Sequence, residues 1–221
     1  MSDIISMNFL NFLFRWGHLL FGITWIGMLY YFNFVQGAYF KEGSAEAVAD
    51  AKKKLAPRAL WWFRWGAMFT FITGVVLLGG VMHNNGQSLL NDYIVIGAVL
   101  GTLMFLNVWL VIWPNQQVAL GTKEGDGPVA GAKALLASRT NVLFSAPMAF
   151  AMLASPHLGY SSGHLLSQLG GGLGMYIALA IIALLEINAL IGKQGPLTTV
   201  KGVIHCSIGL TVVLVAVLKL L

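Results

Sequence analysis

Six runs of roughly twenty predominantly apolar residues, at about 10–36, 61–82, 93–113, 139–156, 168–191 and 202–221, leave this chain few ways to fold. A helix needs about 20 such residues to cross the ~30 Å hydrocarbon core of a bilayer, and six of them use up the 221 residues. Only 10% of residues are charged and 57% are hydrophobic, whereas about a quarter of a soluble domain is charged. The sequence therefore predicts an all-α integral membrane protein, a six-transmembrane-helix bundle forming one domain over residues 1–221 and surrounded by lipid. The first apolar run carries no Ala-x-Ala-like break, so a retained first helix is expected rather than a cleaved signal peptide.

Basic residues set the expected orientation. The first connection carries Lys41, Lys52, Lys53, Lys54 and Arg58, the third Lys123, Lys133 and Arg139, and the fifth Lys193 and Lys201; the second and fourth carry no Lys or Arg. By the positive-inside rule the odd connections are cytoplasmic and both termini extracytoplasmic. The net charge of +5 then follows from topology, and the lysine run at 52–54 reads as a membrane-facing anchor with no nucleic-acid role. Residues 45–55 have the composition of a short surface helix that ends near Pro57. Trp61, Trp62 and Trp65, with Trp109 and Trp113, read as an aromatic belt on the inner side.

Polar residues inside the apolar runs fall into two layers. The outer layer holds Arg15, His18, His83, Asp92, His157 and His164; the inner holds Asn33, Arg64, Asn107, Arg139, Asn141, Glu186, Asn188 and His205. Ionisable groups at such depth are rare unless they face the bundle interior, pair or bind something. Glu186 and His205, at similar depth on consecutive helices, are expected to form a buried pair, with Arg64 or Arg139 as neighbours. Trp113-Pro114-Asn115 is expected to end the third helix, because proline disfavours helical backbone in the residue before it.

The four outer histidines are candidate metal ligands, since imidazole commonly binds transition metals. Arg15, His18, Gly22 and Trp25 share one face of the first helix. A flat macrocycle held by His18 needs a patch without side chains, which Gly22 supplies; Gly79 and Gly80 stand in the same relation to His83. Arg15, one turn outward of His18, is placed for haem propionates. This pattern favours non-covalent haem b over a compact ion, and the second axial ligand stays open among His83, His157 and His164. The plainer reading is that such glycines serve close helix packing. Cys206 stands alone and no Cys-x-x-Cys-His occurs, which excludes covalent haem attachment.

Four segments carry a resemblance: HLLFGITWIGMLYYFNFVQ at 18–36, PRALWWFRWGA at 57–67, NVWLVIWPNQQ at 107–117 and ASRTN at 137–141. They resemble, in order, the membrane domain of bacterial cytochrome-c-type urate hydroxylases. The first helix is also distantly similar to haem-binding membrane protoporphyrinogen oxidases. The resemblance implies a bacterial inner (cytoplasmic) membrane protein in purine catabolism that oxidises urate to 5-hydroxyisourate and passes electrons to a c-type cytochrome. Full-length family members carry that cytochrome as a C-terminal domain, so the expectation here is a separate periplasmic c-type cytochrome or another partner redox enzyme.

Urate is a flat purine anion rich in carbonyl and N–H groups, and suits a bidentate cation and amides that donate and accept. Arg139, Asn141, Asn107, Asn115 and Gln116 supply such groups in the inner layer. Two further readings stand beside the urate hydroxylase-like oxidoreductase: a non-catalytic haem-b electron-transfer or assembly subunit, and a copper-handling permease. The glycines at 170–172 with Gly174 permit close helix approach, within one bundle or between copies in a homo-oligomer.

Overall fold

Continuous apolar sequence with few breakers becomes helix almost throughout. The structure of the protein, a computed structural model, describes residues 7–84, 91–158 and 172–221, and for 81–84 the backbone alone. Among the described residues six helical rods follow one another. Rod α1 runs through Met7–Tyr30, a π-helical turn at Tyr31–Gln36 and Gly37–Glu42. Rod α2 runs through Ala45–Asp50, a second π turn at Ala51–Leu55 and Ala56–Asn84. Rod α3 joins Asp92–Leu106, a third π turn at Asn107–Ile112 and Trp113–Ala119. Rods α4 (Gly127–Leu158), α5 (Leu173–Ile191) and α6 (Val200–Leu220) complete the order, with a short 3-10 turn at Gly195–Thr198 before α6.

Neither proline ends its helix where the sequence suggested. The expected surface helix at 45–55 runs straight on into α2, and α3 continues past Pro114 to Ala119. A proline has no N–H to donate and its ring crowds the carbonyl four residues back. In both rods the residue before the proline closes an i to i−5 bond instead: Ala56 N–H donates to Ala51 O, and Trp113 N–H to Val108 O. The wider π turn makes room for the ring and the rod continues.

Five rods, α1, α2, α3, α5 and α6, are long and apolar enough to cross a membrane. Rod α4, which contains the expected fourth span at 139–156, is not one of the five. It contains Ser138, Arg139, Thr140, Asn141 and Ser145, and every residue from Leu136 to Ser145 is buried. Over that stretch the helix is covered on all sides and presents no side chain to lipid. The other rods, and α4 itself beyond that stretch, turn large apolar side chains outward: Leu110 is 68% exposed, Leu153 67%, Leu184 67% and Ile191 84%. That inversion is what a lipid-facing surface requires, since a soluble monomer rarely exposes so much apolar area.

Side-chain hydrogen bonds tie α4 to its neighbours. Tyr30 bonds Ser145 at 2.8 Å and Asn33 Nδ2 donates to Ser138 Oγ at 2.8 Å, which fixes α1. Asn141 Nδ2 donates to Met104 O of α3 at 2.9 Å. Ser207 Oγ of α6 reaches Val142 O at 3.1 Å and Leu143 O at 2.9 Å. The Leu143 carbonyl lies four residues before Pro147, a proline inside the helix, so it lacks its usual backbone donor and Ser207 replaces it. Rods α1 and α2 pair along their length, with Gly66 admitting the backbone of Trp25: a Cβ on Gly66 would stand 3.1 Å from Trp25 N.

Candidate functional site

At one locus, on the α1–α2 seam, His18 is half-buried. Its Nδ1 lies 2.9 Å from Thr70 O and 3.0 Å from Thr73 Oγ1. A carbonyl oxygen only accepts, so Nδ1 carries the proton and Nε2 of the neutral ring keeps its lone pair. Ring and helix meet at Gly74, where a Cβ would stand 3.1 Å from His18 Cε1. Gly22 lies on the seam, its Cβ position 3.9 Å from Thr70 Cγ2, whereas Gly79 and Gly80 have open space where a side chain would be. Trp25 is buried, and its Nε1 has no hydrogen-bond partner among the described residues. Arg15 is exposed and its Nε donates to Asn11 Oδ1 at 3.4 Å.

The remaining outer histidines are less informative. His157 is exposed near the end of α4. His83 lies in the last turn of α2 with its side chain outside the described residues, and His164 lies outside them altogether. Among the described residues no three His, Cys, Asp or Glu gather as a metal site would require.

The inner-layer residues gather toward the opposite end of the bundle, where the lysine-bearing connections lie. Asn107 Nδ2 donates to Asn141 Oδ1 at 3.0 Å and to Glu186 Oε2 at 3.1 Å, joining α3, α4 and α5. Glu186 is thus bonded to an amide, and the expected pair with His205 does not form, because His205 is exposed. Arg64 does not approach Glu186 either: its guanidinium carbon sits 3.8 Å from the ring centroid of Trp113, 5.3 Å from that of Trp109 and 5.9 Å from that of Trp65. The indole faces attract the cation through their quadrupoles. Of the expected belt, only Trp61 and Trp62 are largely exposed; the other three enclose Arg64. Arg139 is buried, and its Nε and Nη1 have no hydrogen-bond partner among the described residues. Asn115 is spent on its own helix, donating to Val111 O at 2.7 Å.

At that same end a cleft of about 450 Å³ opens between α1, α2, α3 and α4. Gln116 lines it, as do Asn33, Gln36, Lys52 and Ser138, with Phe32 and Phe40 as aromatic walls. Two of the three π turns contribute directly to its wall, Tyr31–Gln36 and Ala51–Leu55. Wide turns of this kind frequently mark functional positions in helices. The sequence placed Asn33 in the inner layer without a ligand, Lys52 in a membrane-facing anchor and Gln36 in no role of its own. Both Asn33 and Gln36 lie in the π turn Tyr31–Gln36, and both line the cleft.

Comparison with known proteins gives one result. The sequence model of a family described as urate oxidase N-terminal matches residues 88–213, more than half of the chain. No curated protein and no solved structure matches.

Proposed function

The chain belongs to the urate oxidase N-terminal family, and from that premise we propose that it is a multi-pass membrane oxidoreductase of urate that carries haem b beside His18. Rod α4 is the sixth crossing in this reading. Its 32 residues at about 1.5 Å each exceed the ~30 Å core, and its polar surface is covered by the other rods. The lysine-bearing end is cytoplasmic, both termini are extracytoplasmic, and the membrane is the bacterial inner membrane.

The observation that carries the cofactor is the hydrogen bond from His18 Nδ1 to Thr70 O at 2.9 Å. Metal-bound histidines commonly donate their second ring nitrogen to a carbonyl or carboxylate, which fixes the tautomer and the ring orientation. His18 has that arrangement, with Nε2 available as a ligand atom and Gly74 leaving the ring unobstructed on the α2 side. Haem b, when bound, supplies a one-electron acceptor in the membrane. Conversion of urate to 5-hydroxyisourate adds the oxygen of one water and releases two protons and two electrons, and the electrons leave for a periplasmic c-type cytochrome.

Distance favours a second reading. Asn33 lies fifteen positions after His18 on the same rod, roughly 20 Å along the axis at the rise of a helix. A chain whose cleft and histidine stand so far apart also suits an electron-transfer subunit that serves a partner enzyme. Anaerobic addition of urate to the oxidised, purified protein separates the two. Reduction of the visible haem bands within minutes supports the hydroxylase reading; unchanged bands overturn it and leave electron transfer.

A further inference from the structure

A carboxyl group inside a membrane bundle must be paired with a cation or carry a proton. Glu186 of α5 is half-buried, and Asn107 Nδ2 donates to its Oε2 at 3.1 Å and to Asn141 Oδ1 at 3.0 Å. The direction of these bonds is fixed from the far end. Asn141 Nδ2 donates to Met104 O at 2.9 Å, and a carbonyl only accepts, so Asn141 turns its oxygen to Asn107, which must give it an N–H. Glu186 Oε2 receives the second N–H of the same nitrogen and is an acceptor in either charge state. Fifteen residues of α3 precede Asn107 in a rod of 28, so the bond lies roughly 20 Å from either end of that rod.

No cation answers this carboxyl among the described residues. The rods packed against α5 are α3, α4 and α6. Rod α3 has no titratable side chain beyond Tyr93; in the inner layer α4 carries Arg139, and α6 carries His205 and Cys206. Lys133, Lys193 and Lys201 stand further toward the connections, and His157 and Lys219 at the opposite end of their rods. None pairs with Glu186: among the described residues the ion pair present joins Lys54 to Asp50. Ile182 and Ala189, on the helix face of Glu186, are buried, whereas Leu184, Ile187 and Leu190 are exposed. The carboxyl thus stands where the bundle meets hydrocarbon. Its Oε1 has no donor among the described residues and is not sealed from the surface. An unpaired negative charge in such surroundings is costly, and the group neutralises instead.

We propose that Glu186 is an intramembrane proton-binding site, in which Asn107 holds Oε2 and Oε1 takes up and releases one proton at the edge of the bundle. The carboxylate gains one proton to become the neutral acid, and no other group changes. Because Oε2 accepts from Asn107 in both states, the α3–α4–α5 junction persists while its charge changes. The site depends neither on the substrate nor on the cofactor assigned above.

Two measurements on the full-length purified chain in liposomes at neutral pH test it. Dicyclohexylcarbodiimide partitions into lipid and reacts with protonated carboxyl groups, and peptide mass mapping locates the adduct; the exposed Glu42, Glu46 and Glu124 serve as internal controls. Infrared spectroscopy reads the C=O band of a protonated carboxyl directly. Glu186→Gln keeps an oxygen for Asn107 and removes the proton site, so it preserves the junction. The expected result is labelling of Glu186 at least tenfold above the three exposed glutamates, and an infrared band in the unaltered protein that Glu186→Gln abolishes. Labelling no greater than at the exposed glutamates, or a band that is absent from the unaltered protein or survives in Glu186→Gln, overturns the proposal and leaves Glu186 as a structural acceptor for Asn107.

Discussion

Gly74 lies against the imidazole of His18: a Cβ at that position would stand 3.1 Å from Cε1 and 3.5 Å from Nδ1. Contact that close leaves no room for a branched side chain unless the ring moves. Gly74→Val is therefore expected to displace His18 from Thr70 O and Thr73 Oγ1 and to lower haem retention several-fold. Gly22→Ala meets an ordinary contact with Thr70 Cγ2 at 3.9 Å and is expected to leave haem content near that of the unaltered protein. Haem-to-protein ratio by absorbance checks both.

Asn107 is the shared donor of the α3–α4–α5 junction. Asn107→Leu strips the donor from both Asn141 Oδ1 and Glu186 Oε2 and strands two acceptors, one fully buried and one half-buried on an ionisable group. A loss of about 2–4 kcal/mol is expected, read as a lowered midpoint of thermal or denaturant unfolding in detergent. Adding Glu186→Leu to Asn107→Leu is expected to restore part of that loss, because the stranded carboxyl group is then gone. A double mutant less stable than Asn107→Leu would contradict this account of the junction.

Ser207 and Pro147 are coupled across α4 and α6. Ser207→Ala removes the donor to Leu143 O and is expected to cost about 0.6–1.7 kcal/mol, the range seen for hydrogen bonds between membrane helices. In a Pro147→Ala background the restored N–H serves Leu143 O from within the helix, so the same substitution is expected to cost markedly less. Unfolding midpoints of the four proteins give the coupling.

Gly174 lets α5 and α6 approach within one chain, since a Cβ there would stand 2.5 Å from Val217 O. Gly174→Leu is expected to destabilise the bundle by more than 1 kcal/mol, seen as a lower unfolding midpoint with unchanged mass by light scattering in detergent.

The rods themselves were legible in the sequence because runs of about twenty apolar residues admit only one solution in a bilayer. Their ends were not. Pro57 and Pro114 read locally as terminators, and whether a π turn precedes a proline depends on packing from neighbouring rods. Rod α4 was legible as an apolar span at 139–156 that carries Arg139 and Asn141, but its central position follows from the partners of Ser138, Asn141 and Ser145 on other rods. Asn107 and Asn141 were visible as polar groups inside apolar runs, while the bonds from Asn107 to Asn141 and Glu186 and the enclosure of Arg64 by three indoles are long-range contacts that no local pattern encodes. The cleft-lining Asn33 and Gln36 were visible as residue types, and only the packing of four rods brings them to one cleft.

The tautomer held at His18 by Thr70 O is the most direct point of attack on the redox reading. An absorption spectrum of the purified protein beside those of His18→Ala and His205→Ala measures it. The expected result is a Soret band with low-spin visible bands in the unaltered protein, loss of that band in His18→Ala and its retention in His205→Ala. A colourless unaltered protein, or a Soret band that survives in His18→Ala, would contradict the account.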